Sequence, residues 1–158
     1  MRIKGSVFTG VLRGQPLMEL YFHRITGMVG FEPYKGTMDV ELERPVDIKL
    51  FSTRTLDHVL MDGTRKTDAY LAPIDLIFNI GDREQRYRCW AMQQVGGPYG
   101  TDVIEIVAQD MLRDKFGLKD GDELDIEFFS LSGMQEKRGF VQSLSKLKPH
   151  RKTQLMKR

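Results

Sequence analysis

The chain has 158 residues, 41% of them hydrophobic and 29% charged, a composition typical of a soluble globular domain that is long enough to bury a core. One cysteine, Cys89, and three scattered histidines exclude a disulfide within the chain and a zinc site with the usual ligand spacing. No run approaches the roughly 20 apolar residues of a membrane helix, and no apolar signal core follows Met1. We therefore expect a cytoplasmic protein with no membrane partner.

The net charge of +2 is unevenly distributed along the chain. Residues 130–158 hold eight Lys and Arg against one Glu, a net charge of +7, which leaves −5 for residues 1–129. This asymmetry predicts one domain over residues 1–129 and a basic C-terminal extension over residues 130–158, partly helical or disordered. The extension leaves nucleic acid open as a partner, but no aromatic interleaving or recognised nucleic-acid motif supports it.

The first elements in chain order are a strand, a glycine-containing loop and a helix. Alternating apolar residues predict the strand over residues 2–9, and Gly10 and Gly14 flank Arg13 in the loop that follows. Glycines let backbone N–H groups approach a phosphate closely, although two glycines near a proline also form ordinary connections. Apolar residues at helical spacing then predict a helix over residues 16–28.

Residues 31–42 combine a tight turn over residues 32–36 with a strand that starts at Thr37. Pro33 and Gly36 favour the turn, and from Thr37 onward apolar and polar residues alternate. The hydroxyl of Thr37 and the carboxylate of Asp39 therefore stand on one face, two residues apart. Hard oxygens of this kind suit Mg²⁺, which takes few protein ligands and completes its shell with water and phosphate. A solvated polar strand face is the ordinary alternative.

The middle of the chain reads as a series of short strands. We expect strands over residues 46–51, 56–60 and 85–93, and a long apolar stretch over residues 67–80 in which Pro73 suits an edge or a bend. Turn signals recur about every ten residues, which is typical of an all-β sandwich or barrel.

A glycine-rich segment over residues 94–101 has the composition of a loop over a site. The following strand, residues 102–107, places Glu105 on an apolar face, where a carboxylate needs a partner or a ligand. An arginine on a neighbouring strand is the open alternative to a ligand. The chain then predicts its last ordered elements, a helix over residues 109–116 and a strand over residues 123–129.

Three motifs follow one another in the chain. They are Gly5-x-Val7-x-Thr9-Gly10, then Gly30-Phe31-Glu32-Pro33-Tyr34-Lys35-Gly36-Thr37 with Asp39, then Ile104-Glu105-Ile106-Val107-Ala108 with Leu112-Arg113 and Leu118-Lys119-Asp120-Gly121-Asp122. Together they resemble the archaeal CTP-dependent riboflavin kinases over residues 1 to about 129.

The resemblance implies a mainly β fold, a compact six-stranded cradle-loop barrel related to swapped-hairpin barrels, with one or two short helices. It also implies an enzyme that phosphorylates riboflavin to FMN with CTP as donor and CDP as product. The reaction would be a Mg²⁺-assisted in-line transfer.

The resemblance also implies roles for particular residues. Thr37 and Asp39 match the metal-binding segment, with Asp39 and Glu105 at the catalytic centre. Glu105 matches a flavin contact, together with Gly97 or, after a local shift, Thr101. The positions that match the nucleotide site are Gly10, Val11, Leu12, Arg13, Gly14, Asp110, Met111, Leu112 and Arg113.

The chain departs from the family pattern at several of these positions. Leu12 and Arg13 replace a Gly and a Glu in the first loop, Asp39 replaces an Asn, and Met111 replaces a Lys. Three alternatives therefore stay open: a flavin- or nucleotide-binding relative without catalysis, a kinase with a changed donor or acceptor, and a barrel that acts as a nucleic-acid-associated regulator.

Overall fold

The computed structural model describes residues 1–11, 14–60 and 66–129. The chain divides into two units, residues 1–128 and residues 129–158, and the predicted basic extension lies outside the described residues. The described residues of the first unit form seven strands and three α-helices: β1 (Arg2–Phe8), α1 (Gly14–Leu20), α2 (Phe22–Val29), β2 (Met38–Leu42), β3 (Arg54–Leu60), β4 (Lys66–Ile80), β5 (Arg83–Gln94), β6 (Val103–Val107), α3 (Leu112–Phe116) and β7 (Glu123–Phe128).

Six of these strands close into an antiparallel barrel, which confirms the predicted fold class. The order is β4-β5-β6-β2-β1-β7, and β7 pairs back onto β4 to complete the ring. Strand β3 lies outside the ring and pairs with the first part of β4. Closure leaves the barrel strands without a free edge along these pairings.

The position of Pro73 in β4 explains how a proline fits a central strand. One edge of β4 pairs with β5 from Ala69 to Ile80. The other edge pairs with β3 up to Leu71 and with β7 from Ile74 onward. Pro73 lies in the gap between these two partners, where its missing N–H removes no ladder bond on that edge.

Three predicted elements need correction. The strand predicted over residues 46–51 is wrong, because this segment contains a 3-10 turn, Ile48–Leu50. Asp47 caps the turn: its carboxylate accepts a hydrogen bond from Lys49 N at 3.1 Å. The predicted helix over residues 16–28 is two helices, because the Tyr21 backbone (φ −108°, ψ 20°) leaves the helical range. The predicted helix over residues 109–116 begins only at Leu112.

The buried residues form two clusters on opposite sides of the barrel wall. Alternate residues of the strands, such as Val40, Ile104 and Ile106, fill the barrel interior. A second cluster packs Met18 of α1 and Ile25 of α2 against outward-facing residues of the wall, including Leu71, Met92 and Val107. Because neighbouring residues of a strand face opposite ways, Asp39 and Glu105 belong to the outer face of β2 and β6.

The α-helices that the structure describes have eight residues or fewer, too short to cross a bilayer.

Candidate functional site

Three of the predicted site residues meet on the outer face of the barrel. Asp39 of β2 and Glu105 of β6 are directly opposite each other in the antiparallel register. Both are buried, with exposed fractions of 9% and 8%. The Thr37 hydroxyl, at the entry to β2, donates a hydrogen bond to Glu105 Oε1 at 3.1 Å. Two buried carboxylates and a hydroxyl thus form one cluster.

The described neighbours of Asp39 provide hydrogen bonds to only one of its two carboxylate oxygens. The Tyr99 hydroxyl donates to Asp39 Oδ2 at 3.1 Å and itself accepts from the backbone N–H of Val11 at 2.7 Å. The other oxygen, Oδ1, is buried and has no hydrogen-bond partner among the described residues. Such an oxygen is costly to bury unless a donor or a cation completes its shell.

Gly10 is the point of closest approach between the first loop and this carboxylate. A Cβ atom at this position would collide with both the Tyr99 hydroxyl and Asp39 Oδ2. A residue without a side chain is therefore needed here, which gives a steric reason for the glycine that the first motif contains.

The cluster shifts the protonation of both carboxyl groups. Burial raises the pKa of Glu105 to about 7, and the negative charge of Asp39 adds to the effect, while the Thr37 hydrogen bond opposes it. Burial also raises the pKa of Asp39, against the opposing effects of the Tyr99 hydrogen bond, the Arg113 charge and the Gly10 backbone. Two buried carboxyl groups that disfavour ionisation in this way would be relieved by a cation between or beside them.

An open pocket of about 260 Å³ lies beside the cluster. Its walls are the end of β1 with the first loop (Phe8 to Gly10), the turn before β2 (Tyr34 to Thr37) and the segment from Ala108 to Arg113. The backbone N–H of Tyr34 donates to Ala108 O at 2.8 Å and so ties two of these walls together. Loops from distant parts of the chain therefore form one concave surface.

Arg113 is held at the pocket by an ion pair. Its Nη2 atom lies 2.6 Å from Asp120 Oδ1, and the Thr9 hydroxyl donates to the same carboxylate at 3.0 Å. The guanidinium and this hydrogen bond hold the pKa of Asp120 below its usual range. Asp120 thus links the first loop, helix α3 and the turn before β7.

The predicted nucleotide-binding residues do not all lie at the pocket. Gly10 and the run from Asp110 to Arg113 line the pocket, Val11 supplies its N–H to Tyr99, and Gly14 begins α1. Within the run, Asp110 accepts from the Tyr87 hydroxyl at 2.7 Å. Leu12 and Arg13 lie outside the described residues.

The two further flavin contacts that the resemblance implied are not part of this pocket. Gly97 lies in the loop after β5, next to Gln94, and Thr101 O accepts from the Val46 N–H at 2.9 Å. Their roles stay predictions.

Sequence reasoning missed several residues of the site. Tyr99 could have been singled out as the aromatic residue in the glycine-rich loop after β5, which was predicted to cover a site. No local signal in the sequence pointed to the hydrogen bond between Thr9 and Asp120, because these residues are 111 positions apart. Asp120 and its ion-pair partner Arg113 are only seven positions apart.

Fold and site together define a small closed β-barrel with a loop-lined pocket beside two buried carboxyl groups. The model of the CTP-dependent riboflavin kinase family, described as "Domain of unknown function DUF120", matches residues 7–128. The chain belongs to this family.

Curated relatives that resemble the chain carry the name riboflavin kinase. One from Pyrobaculum islandicum is 30% identical over 82% of this chain and 61% of its own length. One from Archaeoglobus fulgidus is 26% identical over 80% of this chain and 54% of its own length. A third, from Methanosphaera stadtmanae, is 27% identical over 80% of this chain and 97% of its own length. The chain thus spans between about half and three fifths of the first two relatives.

Proposed function

We propose that this chain phosphorylates riboflavin to FMN with CTP as the phosphate donor, in the cytoplasm. The observation that carries the proposal is the cluster of Thr37 with the buried residues Asp39 and Glu105, in a chain of this family. Thr37 and Asp39 of this cluster line the pocket. The names of the relatives support riboflavin as the acceptor, and the family name supports CTP as the donor.

The residues at the cluster fit a magnesium ion. Asp39 Oδ1 is buried without a partner among the described residues, and the oxygen lone pairs of the Thr37 hydroxyl stay available while this group donates a hydrogen bond to Glu105. No group of three His, Cys, Asp or Glu side chains within the described ranges is arranged to hold a metal alone. That agrees with Mg²⁺, which binds through few protein oxygens and shares the donor's phosphates. When bound, Mg²⁺ would offset the negative charge of those phosphates.

The chain's own residues supply the rest of the reaction. Backbone N–H groups near Gly10 can approach a phosphate because no side chain stands in the way. Arg113, oriented by Asp120, adds positive charge to the pocket lining. Glu105 orients the acceptor hydroxyl, whose oxygen forms the new bond to the γ-phosphorus as the bond to the CDP leaving oxygen breaks. The hydroxyl proton is released to Glu105 or to water as the new bond forms.

The direct test is conversion of riboflavin to FMN by the purified chain with CTP, ATP, GTP and UTP in parallel, each with Mg²⁺ and with EDTA. We expect product with CTP and Mg²⁺, and its loss in Asp39→Ala. Glu41→Ala is the matched control, because Glu41 is the next outward-facing carboxylate of β2 and is exposed. Product with a donor other than CTP would indicate that the altered first loop determines donor specificity. No product from folded protein with any donor would overturn the proposed function.

A further inference from the structure

We propose that Lys35 is a phosphate-binding residue of this pocket, and that its ammonium contacts the polyphosphate of the nucleotide. This inference rests on the proposed function and assigns a residue that the family motifs did not single out. The argument starts from the charges around the pocket.

Four of the described residues that line the pocket carry an acidic or basic side chain, and three of these side chains already have partners. Asp39 accepts from Tyr99, Asp110 accepts from Tyr87 and lies 3.7 Å from Lys115 Nζ, and Arg113 pairs with Asp120. The fourth is Lys35. No carboxylate of the described residues forms an ion pair with its ammonium, so its charge is not offset by a neighbouring acid.

The Lys35 side chain has a defined position despite its exposure. Its Nζ lies over the ring of Phe22 in α2, 5.0 Å from the ring centroid. An aromatic face attracts an ammonium more weakly than a phosphate does, since the ring carries only a quadrupole. Phe22 therefore orders the ammonium of a residue that lines the pocket, without competing strongly with an anionic ligand.

The backbone around Lys35 is held against the pocket wall. Tyr34 N donates to Ala108 O at 2.8 Å, Gly36 N donates to Tyr34 O at 2.9 Å, and Pro33 is buried. Lys35 also precedes Thr37 by two residues, so it enters the pocket from the same turn as the proposed metal site. Lys35 therefore lines the same pocket as the first loop and Thr37, where the proposed function places the phosphates.

A positive charge in addition to that of Arg113 would strengthen the binding of a polyphosphate. The charge of Arg113 is partly neutralised by Asp120 at 2.6 Å, which weakens its attraction for a polyanion. Lys35 contributes a positive charge that is not shared with an acid. Its effect should therefore depend on how many phosphates the ligand carries.

The test is the binding of cytidine, CMP, CDP and CTP, each with Mg²⁺, by isothermal titration calorimetry. The variants are Lys35→Met, which keeps an unbranched side chain able to cover Phe22, and Lys35→Arg, which restores the charge. The same series built on adenosine runs in parallel, because dependence on phosphate number does not require a particular base. Lys49→Met is the matched control, since Lys49 lies over Tyr70 at 5.4 Å and does not line the pocket.

We expect Lys35→Met to weaken CTP binding on the order of tenfold, CDP binding by less, and cytidine binding not at all. Lys35→Arg should recover most of the loss, Lys49→Met should match the wild type, and the salt dependence of CTP binding should become shallower in Lys35→Met.

Two results would overturn the inference alone: CTP binding by Lys35→Met at wild-type strength, or an equal loss for cytidine and CTP, which would indicate a structural role. If the wild-type chain bound no nucleotide of either series, both the inference and the proposed function would fall.

Discussion

Asp39 and Glu105 are the residues in which burial, charge and hydrogen bonding conflict most. Each carboxyl group is more than nine-tenths buried, and its described contacts are hydroxyl groups and backbone. The guanidinium of Arg113 acts on Asp39 only through its field, because it is paired with Asp120. Burial of these two carboxyl groups lowers the free energy of unfolding, and a bound cation would offset this loss.

Replacing Glu105 should reveal this cost as a pH dependence of stability. The pKa of Glu105 is raised in the folded chain from an ordinary 4.5 to about 7, so folding takes up a proton between these values. The free energy of unfolding therefore falls as pH rises through this window, by up to about 3 kcal/mol once the pH exceeds 7. Glu105→Gln does not titrate and should avoid that fall.

The measurement is urea unfolding of the wild type and of Glu105→Gln at pH 5 and pH 8, with EDTA to exclude divalent cations. We expect the free energy of unfolding of the variant minus that of the wild type to be larger at pH 8 than at pH 5. A difference between the two proteins that stays the same at both pH values would contradict the raised pKa.

At the scale of elements, loops and helices are tied to the barrel by side chains that bond to backbone groups. Gln93 of β5 is the clearest case. Its Nε2 donates to Val46 O at 2.9 Å and to Val103 O at 3.2 Å, and its Oε1 accepts from Ile48 N at 3.1 Å. One side chain thus joins the segment before the 3-10 turn to the start of β6, the strand that carries Glu105.

Gln93→Ala should leave several backbone groups without partners and destabilise the chain by about 1–3 kcal/mol. Gln94→Ala is the matched control, because the neighbouring Gln94 side chain makes no hydrogen bond among the described residues. Denaturant midpoints of both variants would be compared with the wild type. An unchanged midpoint for Gln93→Ala would show that these bonds add little to stability.

At the scale of the whole molecule, the barrel is complete before the basic extension begins. Strand β7 pairs with β1 and β4, and the Phe128 N–H donates to Met1 O at 2.7 Å. The family match also ends at residue 128. The proposed site draws all its described residues from this region.

A chain shortened to residues 1–129 should therefore form FMN at the rate of the full chain and melt in one cooperative transition. A chain shortened to residues 1–121 is the contrast, because it lacks β7 and three buried side chains of the core, Leu124, Ile126 and Phe128; we expect it to be unfolded by circular dichroism. Loss of FMN formation in a folded 1–129 chain would show that the extension takes part in the reaction. Salt-dependent polynucleotide binding that only the full chain shows would support the nucleic-acid alternative.

Local patterns in the sequence predicted that Thr37 and Asp39 share one strand face and that Glu105 lies on an apolar face. They also revealed the family motifs. The strand predicted over residues 46–51 failed because the Asp47 cap and the Gln93 side chain bind backbone groups that a strand partner would otherwise have bound. Propensity alone does not report such competition.

Only the tertiary structure decided which residues meet. The register that sets Asp39 against Glu105, the Tyr99 hydroxyl between Val11 and Asp39, and the joining of Thr9 and Arg113 through Asp120 all depend on how the barrel closes. Closure is a property of all six strands at once, because shifting one strand by a single residue would turn its polar face inward. The sequence by itself therefore determined the types of chemical group and the face each occupies, whereas the fold determined their partners and the pocket between them.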